Sequence, residues 1–269
     1  MRFDHVAFDV DEHVGIITLD RPEAANAQSE KVLVELDEAW RHAETDRRVK
    51  VIVLRSTGRH FSAGHDMSGT QKTSADTEIP LPDSMYDWET RYYFHFAKRW
   101  RDVPKPSIAA VQGKCIAAGL MLCWPCDLIV AAEDAEFSDP VLFLGIGGVE
   151  YHAHTWEFGP RKAKEILFTG DSVTAEEARQ LGMVNKVVPT EELIPATLSL
   201  ARRIARVDGF ALRMAKRAVN RALDAQGFST SVEASFDMHH LGHNRALVIT
   251  GDRPVLANLA AMKERETDR

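Results

Sequence analysis

The stretch that decides the fold is residues 51–67, which read VIVLRSTGRHFSAGHDM. Its first four residues are all apolar, and an unbroken apolar run is typical of a strand buried on both faces of a parallel sheet. The run leads into a loop over residues 58–69 that contains small residues, which let a backbone approach a ligand closely. The stretch therefore predicts a buried strand that ends in a loop suited to binding.

Strands and helices alternate on both sides of this stretch. The helix signals are apolar residues at spacings of three and four, with Ser29 as the N-cap of the first. Apolar runs predict further strands at 5–10, 14–19, 108–111 and 128–132, and the helix signals lie at 29–45, 85–101 and 120–124. Strands that alternate with helices favour parallel pairing with helical crossovers, so the predicted class is α/β.

The last third of the chain is predicted to be helical. Helical patterns cover 160–168, 174–181 and 190–207, and most of 209–265. We therefore predict a core over residues 1–200 and a helical C-terminal region over residues 201–269. The polar, proline-containing residues 70–84 are expected to form a mobile loop or insertion.

The composition limits the class of protein. The 269 residues are 45% hydrophobic and 27% charged, with a formal net charge of −7 and no long basic run, which argues against a nucleic-acid partner. Three cysteines indicate a reducing compartment. We find no apolar signal region and no uncharged apolar stretch of membrane-spanning length, so we expect a cytoplasmic protein without a membrane partner.

Five segments, in order, resemble the crotonase (enoyl-CoA hydratase/isomerase) superfamily over nearly the whole chain. They are residues 19–27 (LDRPEAANA), 58–67 (GRHFSAGHDM), 105–127, 135–140 (AEFSDP) and 167–184. The resemblance implies a ββα spiral core, a C-terminal trimerisation region, and homotrimers or dimers of trimers. It also implies an acyl-CoA thioester substrate that carries its own CoA, with no separate cofactor.

The resemblance also implies which residues form the site. The backbone amides of His65 and Ala118 would stabilise the thioester oxygen, which gains negative charge when an enolate forms. The residues implied to contact the CoA thioester are Ala24, Ala25, Ala63, His65, Asp66 and Met67.

Two positions depart from the hydratase pattern. Met121 and Val141 stand where hydratases carry their two catalytic glutamates, and neither can transfer a proton. Other branches of the superfamily place the working carboxylate later, and Glu150 is the only acidic residue of loop 144–154. We therefore hypothesise that Glu150 is the general acid or base, with its pKa raised by apolar neighbours. The alternative is a surface carboxylate.

Other polar residues have competing interpretations. The ring of His65 can act on a proton or a carboxylate, but the preferred interpretation is that only its backbone matters. Asp139 is expected to cap a turn before Pro140 rather than line a pocket. His152 and His154 have no obvious third partner, so no metal site is predicted.

Two further patterns concern packing. Cys123 and Cys126 form a C-x-x-C pattern and are interpreted as packing residues. The helix at 85–101 carries aromatic residues that either line a bulky acyl pocket or belong to the core: Tyr86, Trp88, Tyr92, Tyr93, Phe94 and Phe96.

The functional hypotheses differ in class. The first is an acyl-CoA enzyme that forms an enolate-like intermediate, by hydration or isomerisation with a relocated carboxylate. A divergent hydrolase or C–C lyase ranks second among enzymes. The rival is a non-catalytic acyl-CoA-binding subunit that kept the fold and lost the glutamates.

Overall fold

The five predicted strands and a sixth that was not predicted, at residues 186–188, form one sheet with the strand order β1-β2-β3-β4-β6-β9. The structure is a computed structural model that describes residues 1–68 and 82–257. The strands are β1 (Val6–Asp11), β2 (Val14–Leu19), β3 (Val51–Ser56), β4 (Ser107–Val111), β6 (Leu128–Ala132) and β9 (Lys186–Val188). β1 and β2 pair as an antiparallel hairpin, and the other neighbours pair in parallel. The α/β class and the parallel pairing are confirmed.

A second, three-stranded sheet was not predicted. It consists of β5 (Lys114–Ile116), β7 (Glu136–Ser138) and β8 (Val173–Thr174) in the order β5-β7-β8. Strands of two or three residues are too short to show a clear alternation of apolar and polar residues, so the pattern analysis missed them. β5 leads directly into the loop that carries Ala118, and this small sheet therefore fixes one side of the site.

The helices surround the main sheet and form the C-terminal region. They are α1 (Glu30–Thr45), α2 (Pro82–Glu89), α3 (His95–Asp102), α4 (Leu120–Cys123), α5 (His154–Thr169), α6 (Ala175–Leu181), α7 (Leu193–Ala205), α8 (Gly209–Ala225) and α9 (Phe228–Thr250). Ser29 caps α1 by accepting a hydrogen bond from the Val32 amide, as predicted. The helix predicted at 160–168 is the second half of α5, whose backbone is kinked at Gly159.

Both faces of the main sheet are covered by apolar side chains. Along β3, Ile52 and Leu54 belong to the larger hydrophobic cluster, while Val51 and Val53 belong to the cluster beneath α7. This double burial explains the unbroken apolar run at 51–54, because all four of these residues are buried. The boundary predicted at residue 200 lies within α7, and the division into two parts stays a prediction.

The C-terminal region turns back after α9. Gly251 ends α9 in the left-handed conformation, and the Leu256 amide then donates to the carbonyl of Leu144. The prediction of mostly helical structure over 209–265 holds to Thr250, residues 251–257 are not helical, and the remainder lies outside the described residues. Residues 70–81 of the predicted loop also lie outside them, and residues 82–84 begin α2. Among the helices of the described chain, none is both long and apolar enough to span a membrane.

Candidate active site

Backbone hydrogen bonds hold the loop after β3 against the end of β5. The Ile116 amide donates to the carbonyl of Ser62 at 3.0 Å, and the Ala63 amide donates to the carbonyl of Ala25 at 2.9 Å. Gly64 has a φ of +84°, which favours glycine, and a Cβ there would lie 2.8 Å from the carbonyl oxygen of Ile116. The sequence therefore needs glycine at this position so that the two loops can approach each other.

This approach brings two backbone amides together. A Cβ on Gly64 would also lie 3.2 Å from the amide nitrogen of Ala118, so the residue before His65 lies against the Ala118 amide. Among the described residues, the His65 amide donates no hydrogen bond, and the Ala118 amide donates none outside its own helical turn. Ala117 has a φ of +50°, a strained conformation for a residue with a side chain. The two amides predicted from the sequence are therefore adjacent and available to a ligand.

Glu150 lies within reach of the His65 ring. Atom Nε2 of His65 is 2.7 Å from Oε1 of Glu150, and the Glu150 side chain is 1% exposed. The His65 ring stacks on the Tyr93 ring with centroids 4.1 Å apart. The surface alternative for Glu150 is wrong. The interpretation that only the backbone of His65 matters stays a prediction, and the structure shows that the His65 ring also contacts Glu150.

The ion pair changes the pKa of both groups. Burial is the largest single effect on the pKa of Glu150 and would raise it, but the charge and hydrogen bond of His65, together with the charge of His239, lower that pKa below its ordinary value. Burial is the largest single effect on the pKa of His65 and would lower it, but the charge and hydrogen bond of Glu150, together with the charge of Glu89, raise that pKa above its ordinary value. The raised pKa expected for Glu150 from its apolar neighbours is therefore wrong, because the expectation took no account of a cationic partner.

Asp139 fixes the loop that carries Glu150. Its carboxylate accepts hydrogen bonds from the Val141 amide at 3.3 Å and from the Val149 amide at 3.0 Å. Nε2 of His154 lies 2.9 Å from Oδ2 of the same carboxylate. The capping role predicted for Asp139 is confirmed, and the second of its amide donors immediately precedes Glu150.

A cavity of about 330 Å³ joins these elements, and we call it the central cavity. Its lining residues are Ala63, His65, Met67, Met85, Glu89, Ile116, Ala117, Ala118, Pro140, Val141, Leu144, Ile146, Val149, Glu150, His239, His243, Arg253, Pro254 and Val255. The wall is mostly apolar with a few convergent polar groups, as small-molecule sites usually are. Val141, at one of the two positions where hydratases carry a glutamate, lines the cavity but cannot transfer a proton. Met121, at the other position, is buried in the hydrophobic core.

The residues predicted to contact the CoA thioester divide into two groups. Ala63, His65 and Met67 line the central cavity, whereas Ala24, Ala25 and Asp66 do not. The Asp66 carboxylate instead pairs with Arg21 at 2.7 Å and accepts a hydrogen bond from the Ser68 amide. Asp66 therefore holds the loop in shape.

The aromatic side chains of the helix predicted at 85–101 do not line the cavity. Tyr92, Tyr93 and Phe94 are buried in the core, and none of the six aromatic residues singled out from the sequence lines the central cavity. The segment Thr90–Phe94 is a π-helical turn between α2 and α3, and such turns often occur at functional sites. In this helix Met85 and Glu89 line the cavity, while Tyr93 lies behind the His65 ring.

A second polar group on the cavity wall was missed. Glu89, His239 and His243 are each no more than 5% exposed, and their ligand atoms lie within 4.8 Å of one another. Burial is the largest single effect on the pKa of Glu89 and would raise it, but the charges and hydrogen bonds of His239, His240 and His243 together lower that pKa well below its ordinary value. The spacing of His239 and His243, four residues apart on one helix, was a signal for this group, but nothing in the sequence pointed to Glu89.

The remaining candidates are structural. The three cysteines are buried, and burial raises the pKa of the Cys126 thiol to about 12, consistent with the packing role predicted for the C-x-x-C pattern. The rings of His152 and His154 lie 4.3 Å apart, and His154 is engaged by Asp139. This pair therefore supplies no binding site of its own.

Known proteins are similar to this chain over nearly its whole length. A family model described as enoyl-CoA hydratase/isomerase matches residues 9–250. The Mycobacterium tuberculosis protein EchA13, named as a candidate enoyl-CoA hydratase, is 43% identical over 268 residues, or 93% of this chain and 84% of that protein. The crystal structure of a probable enoyl-CoA hydratase from Mycobacterium smegmatis is 55% identical with a TM-score of 0.90, covering 94% and 100% of the two chains. A probable enoyl-CoA hydratase from Mycobacterium thermoresistibile is 57% identical with a TM-score of 0.89, covering 94% and 99%.

Proposed function

The chain belongs to the enoyl-CoA hydratase/isomerase family and has its crotonase fold, and on that premise we propose that it transforms an acyl-CoA thioester through an enolate-like intermediate. The observation that carries the proposal is the buried pair of His65 and Glu150 beside two available backbone amides in one cavity. The thioester is the substrate, and CoA arrives as part of it, so this chemistry requires no separate cofactor.

The amides of His65 and Ala118 stabilise the thioester oxygen. Negative charge develops on that oxygen when a proton leaves the adjacent carbon, and a fixed amide placed to receive it contributes about 10²–10³ in rate. The support is that both amides border the central cavity, and that among the described residues the His65 amide has no acceptor and the Ala118 amide has none outside its own helical turn. Their position is set by Gly64 and by the strained Ala117, so no reorganisation is needed when the charge forms.

Glu150 is the general base, and the His65 ring is its proton-donating partner. The lowered pKa of Glu150 keeps it ionised at neutral pH, which suits proton abstraction, and the raised pKa of His65 keeps a proton on the ring. Groups whose surroundings push their pKa values apart are typical acid and base partners. This arrangement replaces the two glutamates whose positions Met121 and Val141 occupy.

The reaction class follows from a single base beside the thioester. Isomerisation of a double bond and hydration of an enoyl group both need proton transfer next to the thioester, and we rank them above hydrolysis or C–C cleavage. The names of the mycobacterial relatives support hydration. Met121 and Val141 favour the rival, a subunit that binds acyl-CoA without transforming it, but that rival gives no reason for a buried ion pair inside the cavity.

Two further proposals concern binding and assembly. Ala24, Ala25, Ala63, Asp66 and Met67 lie on or beside the loop at the cavity, and we propose that this region receives the CoA thioester. Exposed apolar side chains on α8 and α9 support a homotrimer or dimer of trimers, which light scattering on the purified protein tests. These side chains are Phe210, Val219, Met238, Leu241, Val248 and Ile249.

A panel assay tests the proposed function. Crotonyl-CoA, longer 2-enoyl-CoAs, 3-enoyl-CoAs and saturated acyl-CoAs are incubated with the protein and followed by mass spectrometry, with binding measured in parallel. The proposal predicts a hydrated or isomerised product from at least one thioester. Binding across the panel without any product would favour the non-catalytic subunit.

A further inference from the structure

Glu89, His239 and His243 converge from two helices on one wall of the central cavity. Glu89 is the last residue of α2, and the two histidines lie one turn apart on α9. Nε2 of His239 is 3.1 Å from Oε2 of Glu89, and Nε2 of His243 is 3.6 Å from Oε1. We call these three residues the Glu–His–His cluster.

Backbone carbonyls fix the orientation of both rings. Nδ1 of His239 is 2.7 Å from the carbonyl oxygen of Gly148, and Nδ1 of His243 is 2.7 Å from that of Pro254. A carbonyl oxygen can only accept a hydrogen bond, so Nδ1 carries a proton in each ring. The Nε2 atoms are then the ring nitrogens that can bind a metal ion, and both point into the cluster.

The two Nε2 atoms lie too close together for neutral rings. They are 2.9 Å apart, and with both Nδ1 positions protonated each presents a lone pair to the other. Either one of the two Nε2 atoms carries a proton or both bind a metal ion, and the carboxylate of Glu89 stands beside them with compensating charge. The cluster is therefore arranged around a positive centre.

The donor set fits a transition-metal ion. Two imidazole nitrogens and one carboxylate oxygen are the protein ligands of catalytic zinc sites and of non-haem iron(II) sites, which keep further coordination positions open. Histidines that bind metals almost always donate their other ring N–H to a carbonyl or carboxylate, as both histidines do here. All three side chains are buried and line the central cavity, so an open position faces the cavity rather than bulk water.

We propose that Glu89, His239 and His243 bind one divalent transition-metal ion of the zinc or iron(II) type, with an open coordination position toward the central cavity. There the ion meets a water molecule or a donor atom of the acyl group. The inference goes beyond the proposed acyl-CoA chemistry and does not depend on it, because the thioester oxygen is assigned to two backbone amides. It also departs from the sequence analysis, which predicted no metal site.

A close contact between α9 and the preceding loop supports the geometry. Gly242 lies between the two histidines, and a Cβ there would be 2.9 Å from the carbonyl oxygen of Gly145. The absence of a side chain lets α9 approach loop 145–148 closely enough for His239 to reach Gly148. Since Glu150 follows two residues later, the cluster and the proposed base are attached to the same loop.

Metal analysis of the protein produced without a polyhistidine tag tests the proposal. The chain is purified, its metals are measured by mass spectrometry, and the protein freed of metal by a chelator is titrated calorimetrically with Zn²⁺ and with Co²⁺. We expect about one ion per chain, as for a single site with three protein ligands, and a visible ligand-field spectrum with Co²⁺. Replacing a ligand should weaken binding more than the 10–100-fold known for residues that only orient ligands.

The variants and their control decide the assignment. His239→Ala, His243→Ala and Glu89→Gln remove one ligand each, and Glu89→Gln keeps the shape of the side chain if either alanine variant fails to fold. His95→Ala is the matched control, because His95 is an exposed histidine on α3. Absence of metal from the purified protein together with no binding of added Zn²⁺ or Co²⁺ would overturn the proposal. So would variants that bind either metal as tightly as the His95→Ala control.

Discussion

The ring of His65 and the carboxylate of Glu150 form an ion pair of 2.7 Å in the wall of the central cavity. The two residues come from loops that lie far apart in the chain, one after β3 and the other before α5. The same His65 also provides the backbone amide that borders Ala118. One residue therefore joins the proposed oxyanion site to the proposed base.

Removing one member of this pair should destabilise the protein more than removing both. His65→Gln leaves a buried Glu150 carboxylate without its partner, and breaking a buried pair typically costs about 3–5 kcal/mol. The double variant His65→Gln, Glu150→Gln leaves no such charge and should recover most of the loss. Urea unfolding at neutral pH and fixed protein concentration measures the free energy of unfolding of the wild type, the two single variants and the double variant. If the effects of His65→Gln and Glu150→Gln simply add in the double variant, the two groups do not interact.

The contribution of the pair should depend on pH. Because the pKa of Glu150 is lowered in the folded protein, the contribution of Glu150 to the free energy of unfolding is present above its ordinary pKa of 4.5. This contribution is lost as the pH falls through the lower folded pKa. Because the pKa of His65 is raised in the folded protein, the contribution of His65 to the free energy of unfolding is present below its ordinary pKa of 6.5. This contribution is lost as the pH rises through the higher folded pKa. The stability difference between the wild type and the double variant should therefore be largest between pH 4.5 and 6.5.

The charges facing Glu150 also set the acidic limit of activity. These groups are His65, Glu89 and His239, of which His65 lowers the pKa of Glu150 most. In His65→Gln the acidic limb of the pH–rate profile should move to higher pH, because burial is no longer offset by a neighbouring positive charge. An unchanged acidic limb in a variant that still turns over would contradict the assignment of Glu150 as the base.

Gly64→Ala should reduce turnover through the backbone alone. The added Cβ would meet the Ile116 carbonyl at 2.8 Å and the Ala118 amide at 3.2 Å, so the two amides must separate. We expect kcat to fall by about 10²-fold or more, as for loss of an oxyanion donor, with a smaller change in KM.

The matched control for this variant is Gly209→Ala. A Cβ on Gly209 meets nothing within 4 Å, and the residue lies at the start of α8. Circular dichroism establishes that both variants are folded. If Gly64→Ala turns over as fast as Gly209→Ala, the two amides do not act on the thioester oxygen.

Gly242→Ala should destabilise the contact between α9 and loop 145–148. The Cβ would lie 2.9 Å from the Gly145 carbonyl and 3.1 Å from Cα of Ile146, both of them backbone atoms that move only with their loop. Overpacking of this kind costs about 1–3 kcal/mol, which denaturant unfolding detects. A stability equal to that of wild type would mean that α9 does not approach the loop this closely.

The sequence was sufficient to predict those helices and strands whose apolar residues recur at a regular spacing or form an unbroken run. The strand at 51–54 and the helix capped by Ser29 were both predictable, since burial on two faces or on one helical face leaves a readable pattern. β5, β7 and β8 were not predictable, because a strand of two or three residues takes its shape from its neighbours.

The site was predictable only where it is built by local backbone. The loops of His65 and Ala118 are marked by small residues, and their proximity followed from the family resemblance. The ion pair of His65 with Glu150 joins distant loops. Both residues were therefore candidates from the sequence, but their pairing was not predictable and the expected direction for the pKa of Glu150 was wrong. Nothing in the sequence marked Glu89 as a cavity residue, because its position depends on a π-helical turn and its partners lie on a helix more than a hundred residues later.

The most direct test of the central claim is turnover by Glu150→Gln on the thioester that the wild type transforms best, with binding measured on the same samples. Glu133→Gln serves as the matched control, because Glu133 is an exposed glutamate outside the cavity. We predict that Glu150→Gln binds the thioester but turns it over about 10²–10⁴-fold more slowly, as for loss of a general base, while Glu133→Gln matches the wild type. Turnover by Glu150→Gln equal to that of Glu133→Gln would contradict the account.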